Sequence, residues 1–201
     1  GIEWYQDKFS SANINQICGE ITPYYLYHPM AASRICAIMP TVKLIVLLRD
    51  PVERAMSQYF HSCHLGFENL NIEEAFSSER ARLINSSSIL MAGKSHFSHQ
   101  QHSYLSRSQY EEQFDRFYKH FSSEQVCVIR SEHLFQSPES VWLRVLTFLG
   151  LDLCPLPKNS PTYSSPIHAQ SDHLTRFKRE LRDQLSKTYN WLEEQCFDMV
   201  D

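Results

Sequence analysis

The segment Lys43-Leu-Ile-Val-Leu-Leu48, broken off by Arg49-Asp50-Pro51, constrains the fold of this chain more than any other feature. Its apolar residues are consecutive, so neither face of the strand it predicts can be left in water. Strands of that kind belong to parallel sheets covered by helices on both faces. The residues that end the run also begin a helix. Asp50 offers a capping carboxylate, and Pro51 takes the first helical position, where a missing N–H costs nothing. The helix is predicted to run to about Leu65 and to stop at Gly66.

The same grammar recurs downstream. Gln125-Val-Cys-Val-Ile129 reads as a second buried strand, ended by Arg130-Ser131-Glu132, and Gln16 to Ile21 is a shorter candidate ahead of Thr22-Pro23. Between the strands the pattern turns helical. Asn71 to about Arg82 is one such segment. Ser106 to His120 is another, with Tyr110, Phe114, Phe117 and Phe121 spaced four, three and four apart along one face. Ser137-Pro138-Glu139 opens a helix with Val141, Trp142, Val145, Leu146 and Leu149 inward and Gly150 as its stop. Leu151 to Pro166, with four prolines, reads as a loop, and Asp172 to about Glu194 as a long polar C-terminal helix. Strands alternating with helices predict an α/β layered domain. With 201 residues and no linker or internal repeat, residues 1–201 read as a single domain.

Charge and composition narrow the partners. A formal net charge of -4 argues against a non-specific nucleic-acid binder, although a few local cations suffice for a small anion. No apolar run approaches a membrane span, so no membrane partner is expected. The six cysteines are scattered without a CxxC pair, which points to reduced thiols in the cytoplasm rather than to a zinc ribbon. The sequon Asn85-Ser86-Ser87 is the one feature that would instead suit a secretory compartment such as the Golgi lumen.

Chemistry concentrates at the end of the first strand. In open α/β sheets ligands bind beyond the carboxyl ends of the strands, and Arg49 lies at such an end. Its guanidinium is a planar fork of donors suited to phosphate. The following helix is expected to aim its N-terminal N–H groups at the same region. Asp50, Arg54 and Ser57 fall on one helix face, so the Ser57 hydroxyl can share a ligand with Arg49. In the competing arrangement Arg49 pairs with Asp50 or Glu53, and Ser57 is a small packing residue. His61 and His64 continue the Ser57 face, either lining a cleft or lying on the helix surface. His96, His99 and His102 have the spacing of a metal cluster but no cysteine or acid beside them, so no metal is expected.

Leu48-Arg-Asp-Pro-Val-Glu-Arg-Ala-Met-Ser-Gln-Tyr59 resembles the 3′-phosphate-binding strand and helix of sulfotransferases that use 3′-phosphoadenosine 5′-phosphosulfate (PAPS), in particular the bacterial and heparan sulfate type. Further stretches are similar to that family in order and spacing. They are Gly1-Ile-Glu-Trp-Tyr5, Gly19-Glu-Ile-Thr-Pro-Tyr-Tyr-Leu26, His64-Leu-Gly-Phe-Glu68, Tyr110-Glu-Glu-Gln-Phe114 and Val145-Leu-Thr-Phe-Leu-Gly-Leu151. The resemblance covers about residues 1 to 151. It implies a P-loop-kinase-like parallel sheet and transfer of a sulfonate group from PAPS to a hydroxyl or amine, leaving adenosine 3′,5′-bisphosphate. A small molecule or a saccharide would be the acceptor, and no metal is used.

By the same resemblance, Arg49 and Ser57 would hold the 3′-phosphate. Lys158 and Tyr163 fall where heparan-type relatives carry a basic loop near it. By position alone, at a predicted strand end and on the Ser57 face, Glu20, Thr22 and His61 are candidates to face the acceptor, although Glu20 and Thr22 could equally cap the strand end. Two departures stand out. Ile21 occupies a position where heparan enzymes often carry a lysine, which argues against a polysaccharide. The Lys-x-Gly-Thr-Thr loop that binds the 5′-phosphosulfate in the family is absent from the sequence. The expectation is therefore a domain lacking its N-terminal strand, loop and helix, with the general base unassigned. The alternative is a catalytically incomplete nucleotide-binding module of the same fold.

Overall fold

The computed structural model describes residues 1–13, 15–158 and 172–195. In chain order the elements are α1 (Ile2–Asp7), α2 (Ala31–Ile38), β1 (Leu44–Leu48), α3 (Pro51–His64), α4 (Ile72–Arg82), α5 (Ser86–Met91), α6 (Phe97–Gln101), α7 (Tyr110–Tyr118), β2 (Val126–Arg130), α8 (Ser131–Gln136), α9 (Pro138–Leu149), α10 (Asp172–Gln184) and α11 (Ser186–Glu194). Both continuous apolar runs are strands, and they pair in parallel with Leu44 opposite Val126 and Leu48 opposite Arg130.

That register sorts the side chains by face. Leu44, Val46, Leu48, Val126 and Val128 pack with Ala32 of α2, Tyr110, Phe114 and Phe117 of α7, Phe121, and Leu192 of α11. On the opposite face Cys127 and Ile129 meet Val141, Val145 and Phe148 of α9 and Leu134 of α8. The helix cover is uneven, however. Ile45 and Leu47 share the face of Cys127 and Ile129 yet remain 38% and 55% exposed. A third cluster joins Val52, Ala55, Met56 and Tyr59 of α3 to Ala75 and Phe76 of α4, Tyr104, Phe177 and Leu181 of α10, and Leu185.

Local chemistry sets the helix ends as the sequence predicts. Asp50 Oδ1 accepts from the Glu53 N–H at 2.9 Å, and Asn71 Oδ1 accepts from the Glu74 N–H at 3.0 Å. Gly150 closes α9 at φ +76°, a left-handed conformation that glycine adopts without a Cβ clash.

Three expected elements differ. Gln16–Ile21 is irregular rather than a strand: no partner strand lies beside it among the described residues, and Ile21 is 93% exposed. The predicted helix 106–120 is a 3-10 turn at Ser106–Ser108 followed by α7. Ser108 Oγ donates to the carbonyls of Pro51 and Tyr104, and the Gln113 amide donates to those of Arg107 and Gln109. Side chains thus replace the regular helical ladder there. The aromatic stripe itself is buried as expected.

The C-terminal segment is helical but divides at Leu185. The bend lets one amphipathic segment serve two cores: Phe177, Leu181 and Leu185 pack on α3 and α4, while Leu192 packs on the sheet side. Among the described residues no helix is long and apolar enough to cross a membrane.

Glu68 anchors the chain after α3. Its carboxylate accepts from Arg82 and the Tyr104 hydroxyl, and from the N–H groups of Asn69 and Leu70. Burial alone would raise its pKa, but the donors outweigh burial and hold it at about 2, against an ordinary 4.5. A depressed folded-state pKa stabilises the protein above the unfolded value, and that stability is lost as pH falls toward the folded one. The melting temperature should therefore drop as pH is lowered from about 4.5 toward 2. Glu68→Gln should melt lower at neutral pH and show a shallower acid slope. In urea, Leu181→Ala should lose roughly 2–5 kcal/mol, as for a fully buried leucine at the junction of three helices.

Candidate anion-binding site

β1 delivers Arg49 to the start of α3, where two acidic side chains, Asp50 and Glu53, lie within one helical turn. Both are already engaged. Asp50 Oδ1 caps α3, and Oδ2 accepts from the Tyr189 hydroxyl at 2.8 Å, with the Arg182 guanidinium 3.8 Å away. Glu53 pairs with Lys178 at 2.6 Å. Tyr189, Arg182 and Lys178 all come from α10 and α11. Among the described residues the Arg49 guanidinium forms no hydrogen bond or ion pair, and neither does the Ser57 hydroxyl. The arrangement in which Arg49 pairs with a neighbouring acid is therefore not the one adopted.

Arg49 and Ser57 line one cavity of about 380 Å³, together with Pro23, Leu26, Leu47, Leu48, Arg54, Gln58, His61, Arg107, Tyr110 and Gln113. That volume falls within the range of small-molecule sites. Three guanidinium groups border it and no carboxylate does, so its potential favours an anion.

The surrounding elements fix these groups. The Tyr110 hydroxyl donates to the Arg49 carbonyl at 2.9 Å and holds the end of β1. Burial pushes Tyr110 up to about 12, so it remains a donor at neutral pH. Arg54 is committed to structure: Nε donates to Ser108 Oγ at 2.6 Å, and Nη2 donates to the carbonyls of Ser103 and Tyr104. Burial pulls it down to about 10, which leaves it charged. Arg107 donates to the Pro23 carbonyl at 3.1 Å and lies over the Tyr24 ring, which joins residues far apart in sequence.

The helix N-terminus departs from expectation. The Asp50 N–H goes to Glu132 at 3.0 Å, the Val52 N–H faces the Tyr189 hydroxyl at 3.5 Å, and the Glu53 N–H goes to Asp50. Protein acceptors thus use amides that would otherwise be open to a phosphate. The donors left open to the cavity are side chains, Arg49 before the helix and Ser57 two turns into it.

The other candidate residues are distributed unevenly. His61 lines the cavity one turn beyond Ser57, whereas His64 does not line it. Glu20 is exposed and Thr22 half-buried beside Tyr25, next to Pro23 on the cavity wall. Lys158 is exposed and outside the lining, and Tyr163 lies outside the described residues.

The three histidines of the Ser/Gln-rich stretch are held by separate partners. His96 Nδ1 accepts from the His99 N–H, His99 Nδ1 meets the Tyr24 hydroxyl at 2.5 Å, and His102 Nε2 bonds the Phe67 carbonyl at 2.9 Å. Burial, aided by nearby His28 and His96, lowers His99 to about 4. Arg107, Tyr110 and Gln113 were not legible as site residues. They lie in or beside a segment whose aromatic stripe reads as core, and only the chain path brings them to the strand end.

Comparison with known proteins identifies the family. The sulfotransferase domain family matches residues 27–187. A bifunctional heparan sulfate N-deacetylase/N-sulfotransferase 1 of Caenorhabditis briggsae is 30% identical over the whole chain, which spans 23% of that protein. The human heparan sulfate glucosamine 3-O-sulfotransferase 3B1 is 31% identical over 75% of the chain and 35% of its own length. A membrane-associated sulfotransferase, kil1, of Dictyostelium discoideum is 45% identical over 31% of the chain and 14% of its own length. The chain thus spans about a third or less of each of these relatives. In three dimensions the crystal structure of a sulfotransferase from Alicyclobacillus acidocaldarius superposes with a TM-score of 0.66 at 26% identity, covering 92% of this chain and 69% of the other. With the family pattern matched from before β1 to within α11, the chain belongs to the sulfotransferase family.

Proposed function

We propose that this chain binds PAPS and supports transfer of its sulfonate group to a hydroxyl or amine of a small-molecule or saccharide acceptor, leaving adenosine 3′,5′-bisphosphate. The observation that carries this reading is the unpaired Arg49 guanidinium, which shares an acid-free cavity with the free Ser57 hydroxyl. A phosphate monoester fits that donor set. The guanidinium provides two parallel N–H donors and the hydroxyl a third. The printed names of the relatives, which specify N- and 3-O-sulfotransfer of heparan sulfate, support an amine or hydroxyl acceptor.

In this reading Arg49 and Ser57 bind and orient the donor and take no part in the chemical step. In the transfer a bond forms from the acceptor oxygen or nitrogen to sulfur. The bond from sulfur to the bridging phosphate oxygen breaks, and the acceptor proton passes to a general base. Positioning and charge neutralisation supply the rate. His61 lines the cavity one turn beyond Ser57, and Glu20 and Thr22 lie close in sequence to the lining residue Pro23; all three are proposed for the acceptor side. Lys158 and Tyr163 are proposed, from the family resemblance, to add to the 3′-phosphate side. The described cysteines are free thiols, which supports a reducing, cytoplasmic setting.

Calorimetric titration with adenosine 3′,5′-bisphosphate tests the assignment. Arg49→Ala should weaken binding by roughly 2–4 kcal/mol, and Ser57→Ala by about 1 kcal/mol. Unchanged affinity in Arg49→Ala would overturn it. Adenosine 5′-phosphosulfate, which lacks the 3′-phosphate, should bind more weakly and be indifferent to both substitutions. Lys158, being exposed, should matter less: Lys158→Ala should cost about 1 kcal/mol or less, and the loss should shrink with added salt.

A further inference from the structure

α10 and α11 contribute no residue to the cavity lining, yet they hold the partners of both acids that follow Arg49. We propose that Tyr189 is a positioning residue for the anion site: its hydroxyl occupies the Asp50 carboxylate and thereby keeps Arg49 available to phosphate. The proposal rests on the assignment of Arg49 to the 3′-phosphate.

The hydroxyl does two jobs at the start of α3. It donates to Asp50 Oδ2 at 2.8 Å and faces the Val52 N–H at 3.5 Å. Because Asp50 Oδ1 is taken by the Glu53 N–H, both carboxylate oxygens have a donor. Burial, reinforced by the Asp50 charge, raises the Tyr189 pKa well above its ordinary value, so the hydroxyl keeps its proton at neutral pH. The Arg182 guanidinium stacks over the Tyr189 ring with 3.8 Å between guanidinium carbon and ring centroid.

Without the hydroxyl, Oδ2 would keep a 3.8 Å approach to Arg182, whose side chain is 57% exposed and therefore solvent-screened. The freed carboxylate sits next in sequence to Arg49. Two consequences follow, and both weaken anion binding. Asp50 competes for the guanidinium, and its charge repels phosphate. Tyr189 makes this difference from outside the cavity. Its position is set independently by the burial of Leu185, Thr188 and Leu192 around it, and by the Thr188 hydroxyl donating to Glu111 at 2.7 Å. A phenylalanine at 189 therefore leaves α11 docked.

The test is calorimetric titration of adenosine 3′,5′-bisphosphate into the full chain and into Tyr189→Phe, Asp50→Asn, the Tyr189→Phe/Asp50→Asn double variant and Arg49→Ala, each with a thermal melt. Asparagine keeps the cap of α3 while removing the charge. Tyr189→Phe should bind roughly five- to tenfold more weakly, the range of one partly screened, charge-assisted contact. The double variant should recover to within about twofold of the Asp50→Asn affinity, since the two changes act through one interaction. Tyr189→Phe at full affinity alongside a weakened Arg49→Ala overturns the positioning role and leaves the site assignment standing. A weakened Tyr189→Phe that Asp50→Asn does not rescue also overturns it, because a purely structural loss does not depend on the carboxylate. Arg49→Ala at full affinity overturns the site assignment itself.

Discussion

The site depends on a competition at the start of α3. Arg49, proposed to hold a phosphate, is followed within one turn by Asp50 and Glu53, either of which could neutralise it. The helix needs the first of these acids, because the Asp50 carboxylate satisfies an amide that would otherwise be unpaired. The structure resolves the conflict by supplying each acid with a partner from the far end of the chain: Tyr189 and Arg182 for Asp50, Lys178 for Glu53. Individually, exposed pairs of this kind add little stability. Their importance here is for the state of Arg49.

Those partners are in place because the C-terminal helices are docked by apolar burial. Phe177, Leu181 and Leu185 close the core of α3 and α4, and the bend at Leu185 turns Leu192 onto the cluster that covers the sheet. Hydrophobic packing, which has no direction of its own, thus sets where the polar contacts fall. The opposite wall of the cavity is built in a similar way. α7 buries its aromatic stripe against β1 and β2, and this presents Tyr110 to the Arg49 carbonyl. Ser108, tied to Pro51 and Arg54, fixes the turn that carries Arg107. Loss of the helix amides to Glu132, Tyr189 and Asp50 explains why the site relies on side chains despite lying at a helix N-terminus.

Much of this was legible in the chain before folding, and the reasons are local. Lys43–Leu48 and Gln125–Ile129 are too apolar to be anything but buried, and Asp50-Pro51, Asn71 and Gly150 mark helix ends through chemistry confined to a few residues. Gln16–Ile21 misled because strand propensity needs a partner strand, and none lies there among the described residues. Ser106–Ser108 departed from the helix because serine and glutamine side chains took over its backbone bonds. Arg107 and Gln113 carry no such local mark: they are embedded in a core pattern, and nothing in their spacing shows that Arg107 will meet Pro23 or that Gln113 will line the cavity.

The sequence by itself determined that Arg49 ends a buried strand and that Ser57 stands on the same side of the helix that follows. Strand termination and helical periodicity are properties of neighbouring residues. Tertiary structure decided whether that arginine would be usable. The sequence places its competitors beside it and their partners well over a hundred residues away, so only the packing of α10 and α11 onto α3 could remove the acids from contention and leave the guanidinium facing an acid-free cavity.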